Sequence, residues 1–171
     1  MERPDRAASG RPAGLIRPPV RATLIAVGRA KPGPARDLFL DYAQRLTPPL
    51  GLIEVEEKRP LPSAQLKARE AELLLAAVPK GATVLLLDER GRDFTSPAFA
   101  ERIGQWRDQG VADLVLLIGG ADGHGEAARA RADLVLSLGK QTWPHMLVRA
   151  LVAEQLYRAQ TILAGHPYHR E

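Results

Sequence analysis

The chain has 171 residues, of which 45% are hydrophobic and 26% charged, a balance typical of one globular domain with a single substantial core. It contains no cysteine, which excludes a disulfide framework, thiolate metal ligands and a cysteine nucleophile, and which fits a protein of the reducing cytoplasm. No apolar run approaches the roughly 18 residues of a membrane-spanning helix, so no membrane partner is expected.

The first 20 residues differ in composition from the rest of the chain. They contain four Arg and four Pro against Glu2 and Asp5 and lack an apolar segment, so we expect a disordered basic extension before one domain at residues 21–171. This extension carries half of the formal net charge of +4. The remaining excess is too small to indicate nucleic-acid binding, which would have to come from local clusters of basic residues.

Apolar segments alternate with amphipathic ones along the domain. Strands are predicted at residues 21–27, 52–56, 83–87, 114–118 and 134–138. Several of these runs are apolar on both faces, as in a parallel sheet that is covered on both sides. The order predicts an α/β fold with a largely parallel sheet and helices on both faces.

Three amphipathic helices are expected between the first four strands. The first has an apolar stripe that should pack on the sheet, formed by Ala35, Leu38, Tyr42 and Leu46. The second should run from a Ser63 cap to residue 78. The third should begin at a Ser96 cap, followed by Pro97 in the first turn, and should end at Gly110.

The last apolar segment, residues 144–164, is apolar almost all the way round a helix. One face of a sheet cannot bury such a surface, so this helix is either central in the domain or shared between two subunits. We therefore predict a homodimer that forms through this helix. A simply well-buried C-terminal helix is the alternative.

A glycine-rich turn at residues 119–125 follows one strand, and a polar loop follows the last strand. Ligands of open parallel sheets lie beyond the carboxyl ends of the strands, so both segments should meet at one ligand-binding edge. Residues 123–128 also fit the relaxed dinucleotide pattern G-x-G-x-x-A, but the acidic residue that would bind a ribose about 20 positions later is missing. A tight strand-to-helix turn without a ligand is the alternative interpretation.

Other common site signatures are absent from the sequence. There is no P-loop and no G-x-S-x-G serine elbow. The four histidines, His124, His145, His166 and His169, do not have the spacing of zinc ligands, so no metal site is expected.

Five short motifs resemble the RlmH family, the large-subunit rRNA pseudouridine N3-methyltransferases of the SPOUT superfamily. They are L-I-G-G at 117–120, L-S-L at 136–138, T-W-P-H at 142–145 with Arg149, E-Q-L-Y-R-A at 154–159 and H-P-Y-H-R-E at 166–171. The resemblance covers residues 23–171. It implies an S-adenosylmethionine-dependent enzyme, active as a homodimer on the ribosome, with a C-terminal trefoil knot that general topology rules would not have predicted.

The resemblance also implies which residues contact the cofactor. Carried over position by position, they are Leu87, Gly120, Leu138, Gly139, Lys140, Gln141, Thr142 and Trp143. These residues follow three predicted strands, in agreement with a ligand at the carboxyl edge of the sheet.

Methylation of an imide nitrogen requires a group that removes its proton or stabilises the resulting anion. The candidates are His145, Arg149, Tyr168 and His169. Gly165 and Pro167 should end the last helix and leave the tail outside the core, so that Tyr168, His169 and Arg170 can contact RNA by stacking and by phosphate pairing.

Two other functions stay open at this point. A nonenzymatic RNA-binding domain that has kept the fold would bind neither cofactor, and a nucleotide-dependent oxidoreductase would bind a nicotinamide. Binding of S-adenosylmethionine distinguishes the methyltransferase from both.

Overall fold

The computed structural model describes residues 18–169, except for the side chain of His169. Most of the predicted N-terminal extension, residues 1–17, and Arg170 lie outside the described residues.

In the described part of the chain, five parallel strands form one sheet in the order β2-β1-β4-β3-β5. The strands are β1 (Arg21–Val27), β2 (Gly51–Val55), β3 (Thr83–Arg92), β4 (Asp113–Ile118) and β5 (Leu134–Leu136). The predicted parallel α/β sheet is confirmed. Because β4, β3 and β5 are neighbours, their carboxyl ends open on the same stretch of the sheet edge.

Helices cover both faces of this sheet, as predicted. They are α1 (Pro34–Arg45), α2 (Ser63–Ala76), α3 (Ser96–Asp108), α4 (Glu126–Arg131) and α5 (His145–Ala164). On one face, Leu24 and Leu116 belong to a core shared with α1, α3 and α5. On the other face, Leu117 packs with α2, and Leu86 packs with α2 and α4. Alternate residues of each central strand thus enter opposite cores, which explains their continuous apolar runs.

The apolar stripe predicted for α1 is only partly right, since Leu46 and half-buried Tyr42 pack on the core but Leu38 does not. Phe39 and Ala43 face the sheet, at 2% and 5% exposure, whereas Leu38 is 43% exposed. Of the predicted stripe only Leu46, which follows the helix, is buried. Two stripes with four-residue spacing lie side by side on this helix. Phe39 of the buried stripe has a wholly apolar ring, whereas the Tyr42 hydroxyl of the other needs a polar partner, which is the Tyr168 hydroxyl.

Both predicted helix caps are also wrong. The N-cap of α2 is Pro62, and no side chain caps that helix. Thr95 caps α3 instead of Ser96, because its hydroxyl accepts a hydrogen bond of 3.2 Å from the Ala98 N–H. The Ser96 hydroxyl donates to the Gln155 side chain at 2.8 Å and thereby ties α3 to α5.

Strand β3 is longer than the predicted segment 83–87, since it continues to Arg92. After an irregularity in register, Arg92 pairs with Leu136 of β5. The backbones approach so closely there that a Cβ on Gly91 would lie 2.6 Å from the Leu136 carbonyl carbon. This extension brings residues 88–90 alongside the carboxyl edge.

The tail after α5 is mostly exposed but returns to the fold through half-buried Tyr168. Gly165 ends the helix in a left-handed conformation, and a short 3-10 turn, Pro167–His169, follows. Tyr168 packs edge-on against Tyr157, with 4.7 Å between ring centres, and its hydroxyl donates to Glu154 at 3.1 Å. The prediction that Tyr168 leaves the fold is therefore wrong. The trefoil knot stays a prediction.

Candidate active site

A cleft of about 750 Å³ lies beyond the carboxyl ends of β3, β4 and β5. Its walls come from three segments: the extension of β3 after Leu87, the glycine turn after β4, and the loop at residues 138–143 after β5. This volume is in the range of small-molecule and cofactor sites. We call this cavity the cleft.

The glycine turn, residues 119–125, is shaped by close packing on α2. A Cβ at Gly120 would lie 2.5 Å from Glu70 Oε2, and a Cβ at Gly125 would lie 2.8 Å from the Lys67 carbonyl oxygen. The turn is closed by a hydrogen bond of 3.0 Å from the Gly123 N–H to the Gly120 carbonyl. Glycine is required at position 125 because the backbone of α2 occupies the space of a side chain there, whereas a Cβ at Gly120 would meet the carboxyl end of the Glu70 side chain.

The loop at residues 138–143 folds back on itself. The Ser137 hydroxyl accepts from the Gly139 N–H at 3.1 Å and donates to the Gly139 carbonyl at 3.0 Å, while Gly139 has a positive φ of 103°. The Trp143 indole N–H donates to the Leu138 carbonyl at 3.2 Å. These bonds hold the loop as a compact wall that presents backbone groups to the cleft.

Seven of the eight residues assigned to the cofactor by resemblance line this cleft, namely Leu87, Gly120, Leu138, Gly139, Gln141, Thr142 and Trp143. Lys140 is exposed and does not line it. Three strand ends thus contribute to one cavity, as the sheet-edge argument predicted.

His145, the first residue of α5, lies in the cleft opposite the glycine turn. Its Nε2 donates a hydrogen bond to the Gly119 carbonyl. A carbonyl can only accept, so this bond places the proton on Nε2 and leaves Nδ1 as the basic nitrogen. Burial lowers the pKa of His145; the bond to Gly119 opposes this effect and the nearby Arg149 adds to it. The ring is therefore neutral near pH 7.

His124 also lines the cleft, although sequence reasoning did not select it as a site residue. Its Nε2 lies 2.9 Å from the Leu87 carbonyl and 3.1 Å from the Gly119 N–H, so the ring joins the ends of β3 and β4. Which of the two bonds forms depends on the tautomer. Burial lowers the pKa of His124. Its position inside the glycine turn, between Gly123 and Gly125, is the feature of the sequence that could have indicated a site residue.

An ion pair at the mouth of the cleft joins Asp88 to Arg129, at 2.5 Å. Burial alone would raise the pKa of Asp88, but the hydrogen bonds from the Arg90 N–H and from Arg129 outweigh it and lower the pKa. Asp88 is therefore ionised at neutral pH, and its charge is matched by Arg129.

Arg149 does not line the cleft. It is 1% exposed and lines a separate cavity of about 460 Å³ near the start of α1. Its guanidinium donates to Glu54 at 2.5 Å and to the Gly28 carbonyl at 2.8 Å. Burial would raise the pKa of Glu54, but the bonds from the Ala30 N–H and from Arg149 lower it. The geometry gives Arg149 a role in joining α5 to β1 and β2.

Tyr168 lines a third cavity, of about 710 Å³, which we call the side cavity. Leu136, Leu138, Gly139 and Trp143 line both this cavity and the cleft, so they form a shared wall. Burial raises the pKa of Tyr168, and its bonds to Tyr42 and Glu154 raise it further. Its hydroxyl therefore stays protonated at neutral pH. The side chain of His169 and all of Arg170 lie outside the described residues.

Neither a membrane span nor a metal cluster is found among residues 18–169. No helix there is long and apolar enough to cross a bilayer. No group of three or more His, Asp or Glu side chains in this part of the chain could hold a metal ion.

An open parallel sheet with a cofactor-sized cleft beyond its carboxyl ends defines a ligand-binding α/β protein. The family profile described as "Predicted SPOUT methyltransferase" matches residues 20–169. The chain belongs to the SPOUT methyltransferases and, within them, to the RlmH family.

The similar proteins match this chain over nearly their whole length. Proteins named ribosomal RNA large subunit methyltransferase H from Paramagnetospirillum magneticum and Rhodospirillum centenum are 65% and 61% identical to it, over 88% of this chain and 99% of each relative. Among solved structures, the SpoU methyltransferase AviRb from Streptomyces viridochromogenes with AdoMet is 14% identical, with a TM-score of 0.45, over 88% of this chain and 63% of that chain. This structural likeness is too distant to support an inference.

Proposed function

We propose that this protein is an S-adenosylmethionine-dependent methyltransferase that methylates N3 of a pseudouridine in large-subunit rRNA, in the cytoplasm. The names of its close relatives support a large-subunit rRNA methyltransferase. The observation that carries the proposal is the convergence of seven of the eight expected cofactor residues on one cleft.

The cleft fits S-adenosylmethionine in size and in chemistry. Leu87, Leu138 and Trp143 offer apolar surface for an adenine ring, and the glycine turn with the loop at residues 138–143 offers backbone N–H and C=O groups for the polar parts. When bound, the cofactor supplies an activated methyl group. The residues of the cleft orient it, and such positioning accounts for much of the rate of a group transfer.

His145 is the best placed of the candidate bases. It is neutral near pH 7, and its Nδ1 is the nitrogen left free to accept the proton of an imide. Tyr168 keeps its proton and so cannot act as a base, and Arg149 is engaged by Glu54. His169 and Arg170 follow at the end of the tail, where we assign them contacts with RNA.

Cofactor binding and methyl transfer test this function. Calorimetry should detect S-adenosylmethionine binding to the purified protein, and tritiated cofactor should label large-subunit rRNA at one pseudouridine, located by mass spectrometry of digested rRNA. Binding of a nicotinamide instead, or cofactor binding without any labelled nucleotide in ribosomes from cells that lack the gene, would refute the proposal.

A homodimer is part of the proposal. Much of α5 is already buried against α1 and α3 of the same chain, yet exposed Leu38 and Trp143 border the side cavity, and Leu163 lies exposed at the end of α5. We expect a second subunit to cover this apolar surface. Light scattering at micromolar concentration should give a mass of two chains; an active monomer would remove this part of the proposal.

The assembled ribosome is the proposed substrate. The net charge of the chain is only +4, so a few phosphate contacts alone would hold RNA weakly, and the shape of a folded particle must add to them. Methylation of ribosomes should therefore exceed that of protein-free rRNA under the same salt concentration. Equal rates on both would contradict this preference.

A further inference from the structure

A buried carboxyl lies directly beneath the glycine turn. Glu70 of α2 is 8% exposed, and its Oε2 has no hydrogen-bond partner. Its two oxygens would lie 2.5 Å and 2.8 Å from a Cβ at Gly120, so the carboxyl touches the backbone of the cleft wall from behind. Within residues 18–169, no Lys or Arg side chain lies within ion-pair distance of it.

An unpartnered carboxylate in such a place is costly, because burial removes its hydration and nothing replaces it. Burial raises the pKa of Glu70, and the negative charge of Asp122 in the turn raises it further. A positive charge that arrives in the cleft would relieve this penalty, whereas a neutral ligand would not.

The other charges of the cleft do not satisfy Glu70. Asp88 is already matched by Arg129. Lys67 lies one turn before Glu70 on α2 and lines the cleft, but it forms no ion pair with the carboxylate in the described structure. Asp122, Glu89 and Glu126 line the cleft as well, so that with Asp88 there are four carboxylates against three basic side chains, Lys67, Arg90 and Arg129. The region around the glycine turn therefore favours a cation.

We propose that Glu70 makes the cleft selective for a cationic ligand over a neutral ligand of the same shape. This inference rests on the proposed function for the identity of the ligands. S-adenosylmethionine carries a sulfonium cation, whereas its demethylated product, S-adenosylhomocysteine, is a neutral thioether at the same atom. Glu70 thus holds the donor and disfavours the spent product, acting through the turn as a specificity-determining residue.

Glu70→Gln is the matched variant, because it removes the charge and keeps the shape that packs against Gly120. Calorimetry should compare three ligands: S-adenosylmethionine, S-adenosylhomocysteine and sinefungin, which has an ammonium near the position of the sulfonium. We expect the preference for both cations over the thioether to fall by about 5- to 50-fold, the effect of one charge a few ångströms behind the wall at an intermediate dielectric. Affinity for the thioether should stay nearly constant.

Glu72→Gln is the control, since Glu72 is exposed on the same helix and its only ion pair within residues 18–169 is with Arg69; it should change none of the three affinities. If Glu70→Gln weakened the binding of all three ligands equally, Glu70 would be purely structural, and if all affinities stayed unchanged it would have no role in binding. Either result overturns this inference but leaves the proposed function intact. Failure of the wild type to bind any of the ligands would overturn the proposed function as well.

Should Glu70→Gln not fold, Glu70→Asp replaces it, because it withdraws the charge from Gly120 by one methylene group. The preference for the two cations should then fall while the thioether affinity holds. An unchanged preference in Glu70→Asp would likewise overturn the inference.

Discussion

Gly120→Ala tests why the cleft needs a glycine at its centre. The new Cβ would lie 2.5 Å from Glu70 Oε2 and 2.9 Å from its carboxyl carbon. Non-bonded carbon atoms rest about 3.5–4.0 Å apart, so the carboxyl or the turn must move. Overpacking of this kind costs about 1–3 kcal/mol, which in a chain of 171 residues lowers the melting temperature by about 2–12 °C.

A double-mutant cycle tests whether contact with Glu70 causes the loss of stability in Gly120→Ala. Glu70→Ala removes the atoms that the Cβ meets, so Gly120→Ala should be nearly neutral in that background, with a coupling free energy of about 1–3 kcal/mol in urea titrations. Gly51→Ala is the control, since its Cβ would meet Thr23 at 3.3 Å and the Ala22 carbonyl oxygen at 3.8 Å and makes no contact with Glu70. An equal cost of Gly120→Ala in both backgrounds would refute the clash with Glu70.

Three further substitutions test single side chains. His145→Gln should leave the cofactor dissociation constant within about threefold and lower methyl transfer by about 10²- to 10⁴-fold; a loss below tenfold would remove it as the base. Glu54→Gln should lower the free energy of unfolding at pH 7 by about 3 kcal/mol in urea, because buried Arg149 loses its partner. The pKa of Glu54 is lower in the folded protein than its ordinary value of 4.5, so ionised Glu54 stabilises the fold fully above pH 4.5 and loses this effect as the pH falls further. The free energy of unfolding should therefore fall less on acidification in Glu54→Gln than in the wild type. Tyr168→Phe should lower the melting temperature by about 2–4 °C for about 1 kcal/mol of hydrogen bonding, and an unchanged value would show that the bond from its hydroxyl to Glu154 does not stabilise the fold.

The sheet and its ligand edge could be predicted because they depend on local patterns. A run such as residues 114–118 is apolar on both faces only if helices cover both sides of the strand. The carboxyl edge follows from the β-α alternation alone. The eight cofactor residues came from the family resemblance, and the fold places seven of them where that edge argument requires.

The remaining features depend on contacts between distant residues. Glu54 and Arg149 are 95 positions apart, so no spacing indicates that they pair, and Arg149 therefore looked available for catalysis. Tyr168 follows two helix-ending residues, but the ring of Tyr157 and the carboxylate of Glu154 draw it back onto the fold. Glu70 could have been recognised from its spacing. It lies four residues before Leu74 on the apolar face of α2, where a carboxylate is unusual.

The wall that the cleft shares with the side cavity connects cofactor binding to dimerisation. Leu138, Gly139 and Trp143 line both spaces, and the Trp143 indole donates to the Leu138 carbonyl within that wall. A molecule in the cleft therefore packs on one side of a wall whose other side borders the surface that we expect a second subunit to cover. By thermodynamic linkage, S-adenosylmethionine should shift the dimer dissociation constant, and dimerisation should shift the affinity for the cofactor by the same factor. Analytical ultracentrifugation with and without the cofactor measures this shift, and an unchanged dissociation constant would show that the two events are independent.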